Sequence, residues 1–234
     1  GNISLFTSAI DISGKLGIFA ETNSTAPAGS LKIQPYNSDR NLSIEFQNNG
    51  FISASTTAIG NGGSISLNAP ETIRLTGQGK IAVETSGSGH AGSIDITTAH
   101  LNAQDGVTIS AKTTGQGAAG HITVKTQIIS LESGSSLQSN TTAQGNAGDI
   151  TLIATDSLFL TGQKTGIFSS TEDGSTGNAG NIAIDPAIVD IRDGAGIAVN
   201  SLGSGTGGNI TLSAGNLTLG NNAFISALTR SSSG

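Results

Sequence analysis

Three stretches of this chain read Gly-x-Gly-x-x-Gly, at Gly87–Gly92, Gly115–Gly120 and Gly203–Gly208. Such a spacing can cradle a pyrophosphate, provided that a strand leads into it and a helix amino terminus follows to meet the charge. Here an alternating apolar run, the mark of a strand, follows each stretch, so the glycines are assigned to turns and no cofactor is expected. The three histidines, His90, His100 and His121, fall at different points of the repeat described below. A zinc ion needs three or four ligands within about 2 Å of it, so no metal is expected and the imidazoles are read as solvated. The densest acidic group is Asp185, Asp190 and Asp193 with Arg192. Glycosidic chemistry needs two carboxylates facing one bond, and the equivalents of Asp190 in the flanking units are Phe159 and Thr218. No catalytic residue is assigned.

Two further sets could act as surfaces. A column of Thr22, Thr56, Thr85, Thr113, Thr141, Thr171, Ser201 and Thr229 would stack hydroxyls one residue wide. It shares parity with apolar positions, so it is read as an internal corner ladder with mutual hydrogen bonds and not as an ice-binding face. Phe19, Phe51, Phe159, Phe168 and Phe224 have the opposite, outward parity. With the single tyrosine, Tyr36, the candidates for partner contact are Tyr36, Phe51, Phe159, Phe168 and Phe224.

What must position these residues is a repeat. Ala-Gly or Gly-Gly followed by a short alternating run recurs as AGSLKI, GGSISL, AGSIDI, AGHITV, AGDITL, AGNIAI and GGNITL, with GNISL at the start. Counted from the second glycine, units begin at Gly1, Gly29, Gly63, Gly92, Gly120, Gly148, Gly180 and Gly208 and run 27 to 34 residues each. Residues 1–234 therefore form a single repeat array in which units replace domains. A net charge of -6 with 10 Lys and Arg leaves no basic stripe for nucleic acid. No run reaches the roughly 18 to 20 apolar residues of a membrane helix, so no membrane insertion is expected. With no Cys there are no disulfides, which fits a chain exported unfolded.

Each unit holds three alternating apolar runs, for example Ile122 with Val124, Ile129 with Leu131, and Leu137 with Ser139. Period two is the signature of strands with one buried face. Strands so arranged satisfy their backbones by pairing with their counterparts in the next unit, which predicts a parallel β-helix of eight rungs built from three sheets. Crossover chirality makes it right-handed, and at about 4.8 Å per rung it is roughly 38 Å tall. Ile94, Ile122, Ile150, Ile182 and Ile210 should share one inward column. A nearly constant offset between the second and third runs predicts one geometry for the second corner. Extra residues around Pro35–Arg40 and near Glu172 and Asp173 should leave the coil as loops.

The AGxIxI phrase, the three-strand unit and Asn-, Ser- and Gly-rich turns, as in GNAGDITL from Gly145 and GNAGNIAI from Gly177, resemble the repeat regions of filamentous-haemagglutinin-type exoproteins, especially cyanobacterial ones. That resemblance implies an extracellular or cell-surface stalk exported by two-partner secretion and serving adhesion, aggregation or matrix building. The function expected is a non-enzymatic shaft of a secreted or surface fibre, with a carbohydrate-binding or polysaccharide-cleaving β-helix as the alternative. Because no unit carries an atypical polar cap and the chain holds no Met, the array is expected to continue into further rungs or to associate end to end. Surface glycans or other cells are the remaining candidate partners.

Overall fold

The computed structural model describes residues 1–36 and 41–230. It is a parallel β-solenoid of about 8 turns with about 29 residues per turn, and no helix occurs among the described residues. Every strand pairing is parallel and joins a residue to its equivalent one unit later, as in Ile94↔Ile122 and Ile122↔Ile150. The inward column is in place: Ile94, Ile122, Ile150 and Ile182 are buried, and Ile210, in the last described turn, is partly buried against the same core. Alternation does the sorting. In Ile122–Val124 the two apolar side chains enter the core while Thr123 lies at the surface.

The strands make two sheets, not the expected three. One has 12 strands and the other 8. In the central rungs the first two runs fuse into a single bent strand, as in Ile65–Leu75, Ile94–Ala103, Ile122–Glu132 and Ile150–Thr161. Register shifts at the bend, between Ala69 and Thr72 and between Thr126 and Ile128, turn the backbone without ending the ladder. Pro70, which has no N–H to donate, sits inside such a shift, where a ladder tolerates it. In the seventh rung Pro186 separates Ile182–Asp185 from Ile188–Arg192.

The third run is three residues long in each rung, as in Ser136–Gln138. It continues as single bridges down the column Thr22↔Thr56 to Ser201↔Thr229. This column is an internal corner, with Thr113, Thr141, Thr171 and Ser201 fully buried. Its hydroxyls, however, mostly do not bond one another. Those of Thr56, Thr113 and Thr141 each accept the N–H two residues on, at 3.3 Å, which tightens the turn locally. Thr171 and Ser201 make a rung-to-rung contact at 3.2 Å.

The second corner takes three forms where one was expected. Asn48–Asn49, Asp105–Gly106, Ser133–Gly134, Asp193–Gly194 and Asn221–Asn222 are consecutive positive-φ pairs, the φ signature of type I′ turns. Gly14 and Gly77 turn the first and third rungs with a single positive φ, and the longer sixth-rung corner uses Gly162 and Lys164. Pro35 also departs from expectation: it closes the strand Leu31–Pro35 opposite Thr7, because the strand's last position does not call on its N–H. Tyr36 follows at 70% exposure, and residues 37–40 of that excursion lie outside the described residues. The other excursion does leave the coil, with Glu172, Asp173 and Gly174 exposed between buried Thr171 and Ser175.

Candidate functional site

The Ala-Gly corner that defines the repeat is also its most constrained place. A Cβ on Gly92, Gly120 or Gly208 would stand 1.6, 1.6 or 1.9 Å from the carbonyl oxygen of the equivalent glycine one rung below. Backbones touch here, and only hydrogen fits between them. The same holds for Gly87, Gly115 and Gly203, which would meet Ala58, Gly87 and Ser175 carbonyls at 1.8, 1.5 and 1.9 Å. All three Gly-x-Gly-x-x-Gly stretches are therefore stacking glycines, and a strand follows each of them as expected.

Side chains flanking the glycines run as two parallel ladders. In one, Asn61 Oδ1 accepts the His90 N–H at 2.9 Å, His90 Nδ1 the Ala118 N–H at 3.0 Å, Asn146 Oδ1 the Asn178 N–H at 2.9 Å, and Asn178 Oδ1 the Thr206 N–H at 2.8 Å. In the other, Asn2 serves Ser30, His121 Nδ1 serves Asp149, Asp149 serves Asn181, and Asn181 serves Asn209. Each side chain caps a backbone donor that the turn leaves without a strand partner. His90 and His121 are thus exposed side chains whose Nδ1 atoms also serve as ladder acceptors, and His100 is exposed on a strand. The signal was present in the sequence as Asn recurring two residues before, or one residue after, the unit glycine.

Inside the corner, the unit glycine usually donates across the coil to the inward residue of the third run, as Gly120 does to the Ala111 carbonyl at 2.8 Å. Where that residue is serine the hydroxyl enters the link: Ser139 Oγ accepts the Gly148 N–H and donates to the Gly120 carbonyl, and Ser169 Oγ donates to the Gly148 carbonyl. The buried hydroxyls of Ser139 and Ser169 are thereby satisfied.

The aromatic candidates do face outward. Phe19, Phe159 and Phe224 are 50, 37 and 40% exposed, and Phe51 and Phe168 are half-buried. Several have an internal role as well. The rings of Phe19, Phe168 and Phe224 lie over Gly17, Gly166 and Gly196, where an added Cβ would stand 2.7, 2.6 and 2.5 Å from ring carbons. They fill gaps that glycine leaves on the outer face of the second sheet. Phe159 lies on the other sheet, so the five named candidates do not form one patch.

In the acidic group Asp190 is flanked by Phe159 and Thr218, as the alignment of units predicted. Arg192 Nε donates to Asp190 Oδ1 at 2.6 Å, and that bond, with the charge of Asp190, holds the guanidinium above its ordinary value. Asp193 accepts from Asn221. Among the described residues no group of three or more His, Cys, Asp or Glu is placed to hold a metal ion. Among the described residues no helix is long and apolar enough to cross a membrane.

Comparison with protein-family models, curated proteins and solved structures found no match to this chain.

Proposed function

We propose that these residues are a rigid shaft segment of a cell-surface or secreted fibrous adhesin or matrix protein, without enzymatic activity of their own. The observation that carries this reading is the register from rung to rung: one core, one glycine column and one threonine column join equivalent positions of successive units. Such an object is quasi-one-dimensional and gains length with each unit while its width stays constant. The resemblance to filamentous-haemagglutinin-type repeats supports export by two-partner secretion.

The test is antibody labelling of the source cells with serum raised against this segment. Labelling of intact, unpermeabilised cells, or of their secreted material, is the expected outcome. Labelling only after permeabilisation would refute a surface or secreted shaft.

A further inference from the structure

Where the first run bends into the second, the outside of the solenoid is concave. Two open hollows lie there one above the other, of about 840 Å³ and about 450 Å³. Register places them end to end along one trough-like column: Asn68↔Thr97↔Lys125 in the lower hollow is followed by Ile153↔Asp185 in the upper one. The column extends downward through Gln34, which pairs with the half-exposed Phe6.

We propose that this trough binds a linear, uncharged polysaccharide laid along the solenoid axis. Four observations select that ligand. First, Asn68, Thr97 and Gln127 project from the wall and are exposed, and among the described residues none of these side chains is engaged by another protein group. Asparagines at the opposite corner are consumed by backbone donors, as Asn61 and Asn178 are. Free amides and hydroxyls, each able to donate and accept, match the vicinal hydroxyls of a sugar. Second, apolar facets alternate with them, Pro70 in the lower hollow and Ile153 in the upper, and suit the C–H faces of pyranose rings. Third, Lys125 and Asp185 are the charged residues lining the two hollows, so a polymer carrying one charge per unit would find no field to match it. Fourth, the wall repeats at about 4.8 Å, close to the length of one sugar unit in an extended chain, so that successive rungs can engage successive units additively.

The trough is also held in shape before any ligand arrives. Thr126 Oγ1 bonds the Ala99 and Ile128 carbonyls at 3.0 and 2.9 Å, and Thr98 Oγ1 the His100 carbonyl at 3.2 Å, which lowers the ordering cost of binding. A lone Asp185 offers no carboxylate pair, so the polymer is held intact. This proposal does not rest on the shaft reading and applies to the solenoid in isolation.

Affinity electrophoresis of the 234-residue chain tests it, in gels containing mixed-linkage β-glucan, galactomannan or dextran, with polygalacturonate and heparin as charged comparators. At least one neutral polymer should retard the protein, and the charged ones should retard it less. The triple variant N68A/T97A/Q127A should weaken the retarding interaction at least tenfold, and a bulky cation in the wall, T97R, should abolish it. Asn178→Ala, on the opposite corner, should leave it unchanged, and circular dichroism should show all the variants folded. The proposal is overturned if no neutral polymer retards the protein, if a charged polymer does so more strongly, or if folded triple and T97R variants bind as the parent does.

Discussion

The buried threonine column separates two effects that sequence alone cannot distinguish. Thr113 and Thr85 occupy equivalent positions, both buried, but Thr113 Oγ1 accepts the Gly115 N–H whereas Thr85 Oγ1 has no hydrogen-bond partner. Replacing a satisfied hydroxyl by a methyl of the same shape strands its donor, while replacing an unsatisfied one removes a desolvation penalty. Thr113→Val is therefore expected to destabilise by about 1 kcal/mol, and Thr85→Val to be neutral or stabilising by up to about 1 kcal/mol. Urea midpoints of the two variants check this, and equal losses would show that the hydroxyls do the same work. At this scale the sequence was legible as to which positions face inward, because parity assigns them. Hydroxyl partners were not, since a difference of tenths of an ångström in one turn decides between a neighbour's backbone and a neighbour's side chain.

Corners, more than strands, set how closely the rungs approach. A Cβ on Gly120 would collide with the Gly92 carbonyl oxygen at 1.6 Å, whereas one on Gly106 meets nothing nearer than 3.7 Å and contends only with a φ of +89°. Forcing two backbones apart disturbs the ladder on both sides, while a left-handed alanine costs about 1–2 kcal/mol. Gly120→Ala should thus cost more than about 3 kcal/mol and clearly exceed Gly106→Ala in thermal or urea unfolding. A larger loss at Gly106 would contradict the close-stacking account. The strands were readable from period-two runs, and the Ala-Gly phrase marked the tight corner. Fusion of the first two runs was not readable, because at a register shift such as that between Thr126 and Ile128 the inward parity changes, from Ile122, Val124 and Thr126 to Ile129 and Leu131, so the pattern reads as two separate strands. Pro35 likewise read as a loop residue, although a strand's last position can accept it. The candidate trough escaped notice for a related reason: its residues are unremarkable along the chain and become a wall only when Asn68, Thr97 and Lys125 stack.

For the whole molecule, the repeat means that stability and length are sums over neighbours, with no central core to lose. A solenoid built this way should tolerate removal of whole rungs and nothing smaller. Deleting residues 92–147, the fourth and fifth units, joins Ala91 to Gly148 and recreates the Ala-Gly phrase ahead of Ile150. Small-angle X-ray scattering of the parent and the deletion protein tests the central claim most directly. The expected result is a folded β-solenoid with the same cross-sectional radius and a long axis shorter by about 10 Å, two rungs at about 4.8 Å each. A deletion protein that unfolds, or one whose cross-section changes while its length does not, would contradict a modular solenoid.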